Sequence, residues 1–215
     1  MTATKAIKVF IADDHAIVRE GLKQILADTK DITVAGEAEN GLEAIRSTRK
    51  SGCHVLLLDI SMPDRSGIEV LKQIKKESPG IAVLMLSMHR EDQYAIRSLK
   101  AGASGYINKQ DALNQMIIAI RQVSSGRKYI SSELAVQLAE HLTQQTQELP
   151  HQNLSHREYQ TLCLIASGKK LSEIADTMIL SAKTVSVYRA RLLEKMKMRT
   201  NAELIHYAIT HHLVP

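Results

Sequence analysis

Along residues 7–125, short apolar runs alternate with longer stretches in which apolar residues return every three or four positions. The short runs are Ile7–Ala12, Ile32–Gly36, Val55–Leu58, Ile81–Leu86 and Gly105–Ile107. They are too short for helices and rich in Leu or β-branched residues, so they read as strands. Between them, Ile17, Val18, Leu22, Ile25 and Leu26 have helical spacing, as do Ile68, Leu71 and Ile74, and Leu113, Met116, Ile117 and Ile120. Five strands alternating with five helices predict an α/β unit whose parallel sheet is covered on both faces.

The pattern changes after residue 126. Ser131–Leu142 predicts one helix, with Ser132 as its N-cap. The polar TQQTQELPHQN that follows reads as a linker. From Leu154 the spacing is helical only. Ser155 with Glu158 three residues on has the capping-box pattern, and Gly168 closes that helix. Leu171–Thr177 is a short helix, Ser181 caps a third, and Thr200 or Asn201 opens a fourth running to about His211. The expected organisation is residues 1–126 as an α/β domain, 127–150 as a linker with a helix, and 151–215 as a small four-helix domain.

Parallel sheets bind ligands at the carboxyl ends of their strands. Here the first strand runs into Asp13 and Asp14, the third into Asp59, the fourth into Ser87 and the fifth into Lys109. Each has an ordinary explanation alone: an Asp after a strand commonly caps a helix, and a lysine commonly faces solvent. Their joint placement on one sheet edge points to chemistry. Three crowded carboxylates raise one another's pKa, and a divalent cation relieves this. Magnesium suits oxygen ligands and retains waters beside a phosphate oxygen. A carboxylate beside it can attack a phosphoryl group and form an acyl phosphate, whose oxygens Lys109 and Ser87 could hold.

These residues carry a resemblance. ADD at 12–14, LLLDISMP at 56–63, LS at 86–87 and GYINK at 105–109 resemble the receiver domain of two-component response regulators. The resemblance implies a flavodoxin-like strand order, 2-1-3-4-5. It implies Asp59 as acceptor of phosphate from a histidine kinase. It also implies magnesium held by Asp13, Asp14, Asp59 and the Ser61 carbonyl, Ser87 and Lys109 on the phosphoryl group, and Tyr106 as a switching aromatic. The segment 154–198 resembles the LuxR/FixJ helix-turn-helix, anchored on Leu154, Arg157, Glu158, Gly168, Ile174, Ala175, Lys183, Thr184 and Val185. It departs from that pattern at Leu171–Ser172 and at Tyr188. The combination is similar to a NarL/FixJ-type response regulator. It implies a transcription regulator rather than an enzyme, acting on double-stranded promoter DNA as a homodimer, with a sensor kinase as partner and RNA polymerase as a further candidate.

Charge then sharpens the second half. The chain carries a net +5. Residues 181–200 hold six cations and one anion, a local +5, which suits a phosphate-facing surface. At 100° per residue, Val185, Tyr188, Leu192 and Met196 share one face of the third helix, expected to pack inward. Lys183, Ser186, Val187 and Ala190 share the other, expected to enter the major groove. The expected DNA-contacting set is Lys183, Thr184, Ser186, Val187, Tyr188, Ala190, Arg191 and Lys197, with Arg189 at the border of the packed face.

Other signals weigh less. The chain shows no signal-peptide pattern and no apolar run near the roughly 20 residues of a membrane helix, so it is expected in the cytoplasm. Cys53 and Cys163 read as reduced core residues. SGKK at 167–170 lacks the earlier glycine of a phosphate loop, since that position is Cys163. His206 and His211 are expected on different helix faces, and with His212 they read as exposed side chains. A haloacid dehalogenase-type phosphatase would want an Asp at 61, where Ser stands. A ligand-gated LuxR regulator would not need the acids. A receiver that takes no phosphate is disfavoured by the intact acid set.

Overall fold

The computed structural model describes residues 6–87, 92–109, 112–143, 149–211 and 213–214. The middle of the polar linker (144–148) and His212 lie outside the described residues. Two compact units emerge, Met1–Ala139 and Glu140–Pro215.

In the first unit, strands β1 (Ile7–Ala12), β2 (Ile32–Ala38), β3 (Val55–Asp59), β4 (Ala82–Ser87) and β5 (Gly105–Asn108) alternate with helices α1 (Ala16–Ala27), α2 (Gly41–Ser51), α3 (Gly67–Glu77), α4 (Asp92–Lys100) and α5 (Ala112–Ser124). The sheet is parallel, in the order β2-β1-β3-β4-β5, as the resemblance implies. Strand parity sorts the core. Val9, Ile11, Val55, Leu57, Leu84, Leu86 and Ile107 pack with Leu22 and Leu26 of α1 and Met116 and Ile120 of α5. Alternate residues such as Phe10, Leu56, Leu58 and Met85 are equally buried, which is why the strands read as continuous apolar runs.

Three strands extend past their apolar runs: β3 takes in Asp59, β4 Ser87 and β5 Asn108. β2 continues to Ala38, because this edge strand is exposed or half-buried along its middle and its apolar run breaks off early. Ile17 corrects the helical reading of α1. It is 88% exposed because, at about 100° per residue, it lies nearly opposite the face formed by Leu22 and Leu26, and the packing begins with Val18 and Leu22.

Side chains place the loops. Asp64 accepts the amides of Gly41 and Leu42 at 2.7 and 2.9 Å, capping α2 from the β3–α3 loop. Gly67 opens α3 with no room for a side chain, because a Cβ there would lie 2.0 Å from the Asp59 carbonyl oxygen.

Helix α6 spans Ser132–Thr143. Its cap is Ser131, whose hydroxyl accepts the Leu134 amide at 3.2 Å, not Ser132. The second unit holds α7 (His156–Ala166), α8 (Leu171–Met178), α9 (Ala182–Met196) and α10 (Asn201–Thr210). Its core is built from Tyr159, Leu162, Ile174, Val185, Leu192, Leu204 and Ala208. The capping box at Ser155 and Glu158 is present with both bonds. Ser181 and Thr200 accept amides as N-caps of α9 and α10. Among the described residues, no helix is long and apolar enough to cross a membrane.

Candidate functional site

The acids meet because of register and parity. Ala12 pairs with Leu58, so the next residues, Asp13 and Asp59, stand side by side. Asp59 pairs with Leu86 and Leu86 with Ile107. Residues 9, 11 and 13, 55, 57 and 59, and 107 and 109 share one parity. The side chain at 109 therefore projects on the same face as the two acids. Lys109 Nζ lies 2.6 Å from Asp13 Oδ2 and 2.9 Å from Asp59 Oδ1, and all three side chains are at least nine-tenths buried.

The electrostatics follow from that burial. Loss of water pushes the Asp59 carboxyl up to about 6; Lys109 pulls against this, and the charges of Asp13 and Asp14 add to it. Burial by itself lowers the Lys109 ammonium, but Asp59 and Asp13 more than reverse that, and its pKa ends raised. Asp59 Oδ2 has no hydrogen-bond partner among the described residues. A buried carboxylate oxygen left this way is costly. Asp13, Asp14, His15 and Asp59 each offer a ligand atom within 4.8 Å of the others. The donor set is carboxylate-dominated and contains that orphaned oxygen, so it fits a hard divalent cation.

The remaining expected residues surround this edge. Ser61 is exposed two residues beyond Asp59, where the chain leaves the sheet. Ser87 is 1% exposed and pairs with Asn108, and its carbonyl accepts the Lys109 amide at 2.7 Å. Tyr106, of the opposite parity to Lys109, is buried beside Met85. Two residues not foreseen belong here as well. His15 Nδ1 stands 2.8 Å from Asp14 Oδ1. Arg19 is buried and donates to the Asp13 carbonyl at 2.9 Å and to Glu39 at 2.6 Å, tying α1 to the end of β1. VRE at 18–20 sits on the helix after ADDH, but nothing in the spacing marks Arg19 as turned inward.

The second unit presents a different surface. Along α9, Val185, Leu192 and Met196 are buried and Tyr188 is half-buried, while Lys183, Ser186, Val187, Ala190 and Arg191 are exposed. The inward and outward faces are those expected from 100° spacing. Thr184 is half-buried and near its cap Ser181, and Lys197 is exposed just past the helix. Two cations of the basic stretch are engaged within the fold. Arg189 Nε donates to Asn201 Oδ1 at 2.7 Å, and Lys195 Nζ donates to the buried Glu158 at 2.7 Å. Ile179, in the turn between α8 and α9, has φ +53°. His206 and His211, expected on different faces, both border one hollow of about 370 Å³ along α10 with Met198, Glu203, Tyr207 and Thr210. The ring of His211 stacks near Tyr207, at a centroid distance of 4.2 Å, which brings it round toward that side.

Comparisons with known proteins agree with both halves. The family described as response regulator receiver domain matches residues 9–121, and that described as bacterial regulatory proteins, luxR family, matches 152–208. The chain is 38% identical over 208 residues to the response regulator UvrY of Escherichia coli, covering 96% of this chain and 95% of that protein. It is 38% identical over 208 residues to the response regulator GacA of Pseudomonas protegens, covering 97% and 98%. Among solved structures it is similar to RcsB of Salmonella enterica serovar Typhimurium bound to the promoter rprA in the presence of a beryllium fluoride phosphomimetic. That likeness has a TM-score of 0.65 and 27% identity, over 94% of this chain and 98% of that one.

Proposed function

The chain belongs to the two-component response regulators that join a receiver domain to a LuxR-type helix-turn-helix domain, and from that premise we propose that phosphorylation of Asp59 by a sensor histidine kinase switches its binding to promoter DNA. The observation that carries this reading is the Asp13–Lys109–Asp59 contact at the carboxyl edge of the sheet. An acid held there beside an ammonium, with one carboxylate oxygen left without a hydrogen-bond partner among the described residues, suits conversion to an acyl phosphate.

In this reading Asp13, Asp14, Asp59 and the Ser61 carbonyl hold magnesium. When bound, the ion would neutralise the clustered acids and polarise the phosphoryl oxygens. Asp59 supplies the nucleophilic oxygen and becomes the acyl phosphate, and the donor's leaving group departs with the former bond's electron pair. Lys109 moves from pairing two carboxylates to pairing one carboxylate and the new phosphoryl oxygens. Ser87 donates its hydroxyl to the same group, and Tyr106 repacks behind it. Only the arrangement with these contacts gains from phosphate, so phosphate shifts a two-state equilibrium.

The exposed face of α9 enters the major groove. Ser186, Val187 and Ala190 read base edges, and Lys183, Thr184, Tyr188, Arg191 and Lys197 set register on phosphates. Solved RcsB structures include a complex with DNA and two dimers bound to two parallel DNAs, which supports binding as a homodimer to paired half-sites. The chain's own chemistry is confined to gaining and losing phosphate at Asp59, and its setting is the cytoplasm.

The test is incubation with acetyl phosphate and magnesium, followed by mass spectrometry. A phosphate-mass adduct should appear on Asp59 and be absent from Asp59→Asn. An equal adduct in the variant overturns the assignment.

A further inference from the structure

The sheet-edge cluster contains a nitrogen that the carboxylate chemistry does not need. His15 occupies the N-cap position of α1, where a side chain usually accepts a helix amide, yet it makes no such bond. Its ring is turned back over the acids. Nδ1 is 2.8 Å from Asp14 Oδ1 and 3.4 Å from Asp13 Oδ1. Among the described residues no well-aligned hydrogen bond reaches that Asp14 oxygen, and the His15 nitrogen is close beside it. Neighbouring ligands of an octahedral divalent cation, at bond lengths of about 2.0–2.1 Å, are themselves about 3 Å apart. The Asp14 oxygen and the His15 nitrogen thus already have the separation of two adjacent ligands.

A second observation points inward from the sheet side. Asp59 is 2% exposed, Lys109 takes its Oδ1, and its Oδ2 is left without a partner in the same cluster. The His15 side chain is 65% exposed, so small ring movements cost little.

We propose that His15 Nδ1 is an additional metal ligand, which makes this centre favour borderline, nitrogen-accepting divalent cations over magnesium. The proposal rests on reading the cluster as a cation site. Three carboxylates alone would treat magnesium and manganese much alike, because both are oxygen-seeking. An imidazole adds affinity along the series from Mn²⁺ to Ni²⁺ and little for Mg²⁺. The centre would then respond to the ratio of transition-metal ions to magnesium. Magnesium would occupy it through oxygens and water, and a transition ion would draw His15 in and pin the start of α1 to the acids.

The experiment uses the full chain without phosphodonor. Mn²⁺ is titrated and followed by electron paramagnetic resonance, then displaced with Mg²⁺ or with Ni²⁺. Bound Mn²⁺ should show electron spin-echo modulation from a ligating imidazole ¹⁴N. His15→Ala should abolish that modulation, weaken the ability of Ni²⁺ to displace Mn²⁺ by about tenfold or more, in keeping with the loss of one nitrogen ligand, and change displacement by Mg²⁺ by less than about threefold. Asp14→Asn, which removes an oxygen ligand, should weaken all three ions. If wild type binds Mn²⁺ with no ¹⁴N modulation, or if His15→Ala leaves the Ni²⁺-to-Mg²⁺ ratio unchanged, the role of His15 is overturned while the cation site stands. If no ion binds wild type, the cation site itself fails, and the proposal with it.

Discussion

Lys109 holds its ammonium 2.9 Å from the Asp59 carboxylate, so the acid is paired before any phosphoryl group arrives. Removing one member of a buried pair strands the other. Lys109→Ala should therefore destabilise the metal-free receiver by about 3 kcal/mol, and magnesium should restore more stability to the variant than to wild type. The same variant should still take some phosphate but lose the phosphate-driven gain in DNA affinity. Thermal melts with and without magnesium, and DNA titrations with and without acetyl phosphate, check both. A normal gain in affinity would remove Lys109 from the switch.

The raised pKa of Asp59 fixes the sign of a pH effect. The folded chain holds this proton up to about pH 6, against an ordinary value of 3.8. Folding is thus favoured by the group below about pH 4, and that contribution is lost as pH rises through 6. Measured in chelator, Asp59→Asn and wild type should be about equally stable near pH 4. Near pH 7.5 the variant should be more stable, by on the order of 2–3 kcal/mol. A gap that fails to widen between these values would show that the acid is not held against its charge.

Glu158 joins two tasks in the helical unit. It completes the capping box of α7 and receives Lys195 of α9. Burial would raise its carboxyl, but Lys195 and Ser155 overcome this and hold it below the ordinary carboxylate range. Its stabilisation is accordingly present at neutral pH and lost as pH falls through that depressed value. Glu158→Ala should cost about 2 kcal/mol, from a lost cap and lost partners, whereas Lys195→Ala, on a more exposed side chain, should cost less. Denaturant melts at pH 7 and pH 3 would separate them.

Ile179 spends its backbone in the left-handed region, which a β-branched residue adopts at a cost. Its side chain is 63% exposed, so little burial offsets this. Ile179→Gly should stabilise the helical unit by about 1 kcal/mol, seen as a higher melting temperature. A lower one would mean that the exposed isoleucine contributes contacts outweighing its strain.

On α9, specificity and affinity should separate. Val187→Ala should relax preference at one or two base pairs, costing about 1–3 kcal/mol on the favoured site. Arg191→Ala should weaken all sites alike and reduce the salt slope by about 1. Site selection and salt titrations on both variants decide. The reverse pattern would mean the face has been assigned the wrong way round.

The sheet was legible because strands buried on both faces print their length as apolar runs, and the residue after each run lands at the ligand-binding edge. What the runs could not show was how far pairing continues: Asp59, Ser87 and Asn108 lie in strands because the ladder outlasts the apolar residues. Ile17 was grouped with the core residues of α1 but faces solvent, since it lies nearly opposite Leu22 and Leu26 on the helix. His15 and Arg19 were missed because a side chain turning back over its own strand end leaves no periodic trace. The engagement of Arg189 by Asn201 and of Lys195 by Glu158 is tertiary, and it divides a basic run that looks uniform in sequence. The shared hollow of His206 and His211 escaped a fixed 100° step, because His211 lies just past the end of α10.

Gly67 leaves the acid no slack. With a Cβ there only 2.0 Å from the Asp59 carbonyl oxygen, and the Gly67 amide donating to the Ile60 carbonyl at 2.8 Å, the start of α3 is seated directly on the Asp59 backbone. In an engineer's terms this part of the receiver is the stator. A library built across residues 60–67 would find latitude at exposed Ser61 and Arg65 but none at 67, where even a methyl group would push Asp59 out of line with Lys109. Tolerance to redesign should therefore be least at Gly67 itself and recover on the exposed side chains of the loop that precedes it.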